Sequence, residues 1–258
     1  MRQLFVPKSW IDPQNNQVVL VDDPFHHLIH VLRKKRGQWV EAFDGQGGAY
    51  RAQILEIMPD KAILAFGERK LLPQMENYQL TLGVAILKGK QMNWMVQKVT
   101  ELGVGTIVPL LTRRTISRRS DHVPTKTAKW EKIAIEAAEQ CGRIYVPNIH
   151  HPIRLEDFFS QIGDFDAKLL AWEGQAGVKK ASGLREWASH AIPVLKNLGR
   201  QVSILLLIGP EGGFARQEVE LAEGVGFIPF GLGRNILRSE TAALIASALL
   251  MVELENLS

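Results

Sequence analysis

The chain predicts an α/β protein: a parallel sheet with crossover helices, preceded by a small β-rich domain. Three observations lead there. Residues up to about 72 hold short β-prone runs separated by turn signals. From Gln79 onward, strands alternate with helices, as parallel strands joined by crossovers require. Near the C-terminus, two apolar runs end in glycine loops that lead into helices.

In the first domain the runs 18–21, 38–43, 49–57 and 61–66 read as strands, punctuated by Asp44-Gly45, Gly47-Gly48 and Pro59-Asp60. Residues 24–32 have helical spacing and end in Arg33-Lys34-Lys35-Arg36 before Gly37. Strands at this spacing suit a small barrel. Residues 71–76 read as a linker, giving expected domains of 1–73 and 77–258.

In the second domain, strands are expected at 80–86, 106–110, 144–149, 168–172, 202–208 and 227–230. Residues 91–102 form a helix stopped by Gly103. The helix 127–141 sets Trp130, Ile133, Ala134, Ala137, Ala138 and Cys141 on one stripe, with Gly142 following. Ser239 is placed to cap a last helix, with Glu240 favourable near its positive end.

Composition is that of a globular protein, 46% hydrophobic and 22% charged over 258 residues. A single cysteine, Cys141, excludes an intramolecular disulfide and suits a reducing cytoplasm; its stripe places it in the core. No apolar run reaches membrane-spanning length, and no leader-like segment opens the chain. Residues 77–150 carry 11 Lys/Arg against 5 Asp/Glu, within a net charge of +4. Such a basic third suits a phosphate-bearing partner and equally a solvated face.

The richest segment begins at Leu205-Leu206-Leu207-Ile208, which runs into Gly209-Pro210-Glu211-Gly212-Gly213-Phe214. The run 227–230 then opens into Gly231-Leu232-Gly233-Arg234-Asn235-Ile236-Leu237-Arg238-Ser239-Glu240-Thr241-Ala242. Ligands of α/β sheets sit at the carboxyl ends of strands, and glycines let bare backbone approach them. A dinucleotide does not fit: Gly231-Leu232-Gly233 lacks the third glycine and follows the last strand. There is no phosphate-loop motif, and His26, His27 and His30 do not make a metal set, so no metal is expected.

These segments resemble the SPOUT superfamily of knotted RNA methyltransferases, and within it the ribosomal RNA small subunit methyltransferase E family. The likeness extends to MRQLFVP, HVLRKKRG, DGQGGAYRA, KGKQMNWMVQKVTELGV and EAAEQCGRIYVP, so it spans nearly the whole chain. It implies a SPOUT-like parallel sheet with a C-terminal trefoil knot, a PUA-like RNA-binding barrel before it, and a homodimer. It also implies S-adenosyl-L-methionine (AdoMet) as cofactor and 16S ribosomal RNA as substrate, methylated at uridine N3 at the position numbered 1498 in bacterial usage. The alternatives are another SPOUT RNA methyltransferase, acting on ribose 2′-O or a different base, and a non-catalytic RNA-binding protein on the same scaffold.

On this reading the cofactor lies against Leu170, Trp172, Gly209, Glu211, Gly212, Leu232, Gly233, Ile236, Leu237, Arg238, Thr241 and Ala242. The same leucines also suit core packing. Arg238 is the candidate for stabilising a uracil anion, and Glu211 for a general base or a loop-shaping acceptor. Arg33, Arg36, Lys88, Lys90, Arg113, Arg114, Arg118, Arg119 and Arg143 are the candidates for tracking RNA phosphates, Arg143 also suiting the carbonyls of a helix end.

Overall fold

The computed structural model describes residues 3–12, 14–67, 70–71, 77–115, 123–172 and 182–255. Arg118, Arg119, most of the expected linker and the loop following Trp172 lie outside the described residues. The chain divides into two compact units, Met1–Gln74 with Ile135–Val146, and Met75–Ala134 with Pro147–Ser258.

The first unit holds β1 (Leu4–Phe5), β2 (Gln17–Val21), α1 (Asp22–His26), β3 (Trp39–Phe43), β4 (Gly48–Ile57), β5 (Lys61–Phe66) and β6 (Lys70–Leu71). The sheet runs β1-β3-β4-β5-β2 with β6 on β4, parallel only between β1 and β3. No ladder joins β1 to β2 among the described residues, so the expected barrel is a sheet without a hydrogen-bonded seam. Strict alternation along β5 sends Ala62, Leu64 and Phe66 into one core with Leu4, Leu20 and Ile54. The helix expected over 24–32 is instead α1 followed by a π-helical turn, His27–Val31. The strand expected over 144–149 shrinks to two residues, because Tyr145 bridges to Gln46 and Val146 N donates to the Gly45 carbonyl in this unit.

The second unit contains β7 (Tyr78–Ala85), α2 (Lys90–Leu102), β8 (Thr106–Leu111), α3 (Val123–Cys141), β9 (Asn148–Ile149), β10 (Ile153–Arg154) and α4 (Leu155–Gln161), α3 running on into the first unit. It continues through β11 (Ala167–Ala171), β12 (Ser182–Gly183), α5 (Leu184–Lys196), β13 (Val202–Ile208), α6 (Arg216–Gly224), β14 (Ile228–Gly231) and α7 (Ser239–Glu255). Eight strands pair in parallel in the order β10-β8-β7-β13-β11-β14-β12, with β9 on β8. Central β13 is apolar from Ile204 to Ile208 because helices cover a parallel sheet on both faces. Gly83 in β7 is forced by packing: a Cβ there would collide with the Leu207 side chain of β13.

Cys141 corrects an expectation. It ends α3 and is exposed, its thiol near the Ala138 carbonyl, so the apolar stripe stops one turn earlier.

Candidate functional site

Strands β11, β13 and β14 end side by side, and a cavity of about 310 Å³ opens beyond their carboxyl ends. Parallel pairing puts Ala171 opposite both Ile208 and Phe230, so three loops leave the sheet at one level. Trp172 closes one wall. The loop after β13 contributes Gly209 to Phe214, and the segment after β14 contributes Leu232, Ile236 and Leu237. Ser239 and Ala242, in the first turn of α7, complete it.

The glycine loop has reasons for its composition. A Cβ on Gly209 would come within 3.0 Å of the Phe214 ring, and Phe214 is the buried plug that folds the loop back on the core. Gly213 has φ +67, a left-handed conformation that glycine adopts without strain, and its N–H closes a turn onto the Pro210 carbonyl at 2.8 Å.

Several expected residues gather here: Trp172, Gly209, Glu211, Gly212, Leu232, Ile236, Leu237 and Ala242 line the cavity. Four others are placed differently. Leu170 is buried in the core cluster with Leu205 and Leu207. Gly233 has φ +124 and is exposed beside the cavity-lining Leu232. Arg238 is exposed and gives its carbonyl to Ala242 N at 2.8 Å, while Thr241 is half-buried within α7. Neither belongs to the cavity wall.

Arg114 and Glu211 are the charged side chains in that wall. Glu211 Oε1 accepts the Lys88 backbone N–H at 3.3 Å, tying the glycine loop to the segment between β7 and α2. Arg114 Nη1 donates to the Gly212 carbonyl at 2.8 Å. Arg113 pairs with Gln217 and lies 3.9 Å from Glu156. Both arginines, expected to face RNA phosphates, therefore have partners within their own unit. Lys88 and Lys90 are exposed at the start of α2. In the first unit Arg33 is exposed, Arg36 reaches the Leu55 carbonyl at 2.9 Å, and Arg143 is half-buried. No group of three metal-ligating side chains occurs among the described residues.

An RNA methyltransferase domain model matches residues 74–251, and an RNA methyltransferase PUA domain model matches 20–66. The ribosomal RNA small subunit methyltransferase E of Buchnera aphidicola (subsp. Schizaphis graminum) is 30% identical over 95% of this chain and 94% of its own length. The chain belongs to the ribosomal RNA small subunit methyltransferase E family. The Synechocystis member is 31% identical over 93% of this chain and 74% of its own. Among solved structures, the family member from Neisseria gonorrhoeae bound to S-adenosyl methionine superposes with a TM-score of 0.81 at 28% identity, covering 98% of this chain and 97% of that one. A putative methyltransferase from Legionella pneumophila, in complex with the bound cofactor SAM, gives 0.83 at 27% identity and 98% coverage of both chains.

The charged residues missed by sequence reasoning are Arg114 as a cavity residue and the buried Glu218 behind it. A glutamate three residues after Ala215 gives no sequence signal of its role, because a capping box starts on serine or threonine and α6 starts on alanine.

Proposed function

We propose that this chain methylates uridine N3 in 16S ribosomal RNA of the small subunit, using AdoMet held beyond β11, β13 and β14. The observation that carries the reading is the cavity itself, walled by glycine-loop backbone, apolar side chains and only two charged groups among the described residues. Its volume falls in the range of about 300–1,000 Å³ usual for small-molecule sites. The apolar wall of Leu232, Ile236 and Leu237 suits a purine, and Glu211 suits a cationic group. When bound, AdoMet supplies a methyl group activated by its sulfonium.

The protein's own task is to orient the base, remove the N3 proton and hold the resulting charge. Because N3 lies on the Watson–Crick edge, the uridine must be unpaired to react. Arg238, exposed at the start of α7 next to cavity-lining Ser239, is the proposed cation for the uracil anion, and Glu211 the proposed acceptor.

Residues 1–73 are proposed to bind RNA and 77–258 to transfer the methyl group, in the cytoplasm; no described helix is long and apolar enough to cross a membrane. A trefoil knot belongs to this reading, supported by the insertion of β14 between β11 and β12. So does a homodimer: Ile245, Leu249 and Val252 form an exposed apolar stripe on α7.

Incubating small subunits that lack the modification with protein and AdoMet, then digesting the RNA for nucleoside mass spectrometry, should yield 3-methyluridine. Any other methylated nucleoside as the sole product rejects the N3 assignment. Arg238→Ala should keep AdoMet affinity in calorimetry while turnover falls by about 100-fold or more.

A further inference from the structure

Glu218 is 1% exposed, and both its oxygens are used. Oε2 accepts the Ala215 N–H at 2.7 Å, which pins the start of α6 directly after the glycine loop. Oε1 accepts the Arg113 N–H at 2.8 Å, from a turn that follows β8. That turn is locked internally: Thr115 Oγ1 accepts the Thr112 N–H at 2.9 Å and lies 2.7 Å from Thr112 Oγ1, with both threonines buried. The next residue in the turn, Arg114, reaches back to the Gly212 carbonyl.

The bonds close a circuit. From Gly212 the backbone runs through Phe214 to Ala215, the carboxylate joins Ala215 to Arg113, and the Arg114 guanidinium returns to Gly212. The four-residue segment Gly212–Ala215 is thus held at both ends by one buried side chain, directly at its far end and through the arginine at its near end. Two backbone N–H donors aimed at one carboxylate exceed what ending a helix requires, since capping uses only the first. A Cβ on Gly212 would touch the Arg114 side chain at 3.5 Å, in ordinary contact, so the guanidinium lies along the loop as a strap.

We infer that Glu218 is a positioning residue for the cofactor loop, acting through the Arg113–Arg114 turn to hold Gly212 where its backbone lines the cavity. The inference rests on the AdoMet reading of that cavity. It assigns Arg114 to the loop rather than to RNA phosphates. A carboxylate is required because both contacts are donors; an amide would turn its NH2 group against one of them.

The experiment is a double-mutant cycle on the full chain with Glu218→Gln, Arg114→Ala and the pair. Two readouts are taken: AdoMet affinity by calorimetry, and hydrogen exchange of the 211–214 amides without ligand. Each single variant should weaken AdoMet about tenfold and speed exchange of the loop, and the pair should be no worse than the poorer single variant. Arg114 is exposed, so its alanine variant should melt with the wild type and tests the strap even if Glu218→Gln folds poorly. Additive losses would reduce Glu218 to a helix cap, and unchanged affinity and exchange in Arg114→Ala would remove the strap. Wild-type protein that fails to bind AdoMet would sink the cofactor reading, while the exchange data would still decide whether the circuit holds the loop.

Discussion

Two buried glutamates sit at opposite ends of helices, and their surroundings make them different devices. Glu218 stands in the first turn of α6, where the helix dipole favours a negative charge, and it receives two backbone N–H groups. Glu139 stands in the last turn of α3, where the dipole opposes it, and among the described residues its one backbone donor is Phe5 N at 2.9 Å. His27 Nδ1 lies 3.7 Å away. Burial pushes the Glu139 carboxyl up to about 7, partly offset by the Phe5 N–H and reinforced by Glu136. The two carboxylates thus differ in their donors: two backbone N–H groups fix Glu218 as a strut, while Glu139, with the Phe5 N–H against it, is raised by burial to about 7.

The comparison breaks most severely at Glu218. Glu218→Ala leaves the Ala215 and Arg113 N–H groups without their acceptor, at a cost of about 3 kcal/mol or more. Chemical denaturation at neutral pH reads this directly. A loss below about 1 kcal/mol would mean that water replaces the carboxylate and that the strut carries no load.

Glu139 should produce a smaller effect with a distinctive pH signature. Its folded carboxyl is raised from 4.5 to about 7, so the folded state holds the proton more tightly than the unfolded chain. Its contribution is therefore complete below pH 4.5 and is lost as pH rises through about 7. The full swing is at most about 3 kcal/mol. Glu139→Gln keeps an acceptor for Phe5 N–H without a charge. Denaturation midpoints between pH 4 and 8 should thus fall for the wild type and stay level for the variant, apart from slopes common to both. Parallel profiles would show that folding leaves the Glu139 carboxyl at its ordinary value.

What was legible in the sequence follows from the range of the interactions. The run 205–208 announced a central strand because both faces of a parallel sheet are covered, leaving no polar alternation. The glycine loop was legible because its glycines answer local demands, Gly209 packing against the Phe214 ring and Gly213 taking a left-handed φ. Glu218 was not, since its second donor lies 105 residues away in sequence and its helix opens on alanine rather than a capping serine. The partners of Arg113 and Arg114 were hidden for a related reason. An arginine run reads the same whether it meets phosphate or folds back on a carbonyl 98 residues distant. Cys141 misled because helical periodicity says which face is apolar and not where along that face the core ends.

Asp166 supplies the weakest test and extends the comparison to a carboxylate with an exposed partner. It is held to Arg200 by two hydrogen bonds of 2.6 and 3.0 Å, and it also accepts the Ser203 N–H at 2.8 Å and the Ser203 hydroxyl at 3.0 Å. The Arg200 hydrogen bonds above all, then those from Ser203, lower its carboxyl to about 2 despite some opposing desolvation. Here the sign is opposite to that of Glu139: the stabilisation is present above pH 3.8 and lost as pH falls through about 2. Yet Arg200 is exposed, and solvent screens such a pair to about 1 kcal/mol or less. Asp166→Asn should therefore cost about 1 kcal/mol at neutral pH, shrinking toward zero near pH 2, and added salt should weaken the difference. A loss as large as that expected for Glu218→Ala would show that the Ser203 contacts, which salt leaves intact, outweigh the ion pair. The backbone and hydroxyl donors of Ser203 would then hold this half-buried carboxylate more firmly than its exposed arginine does.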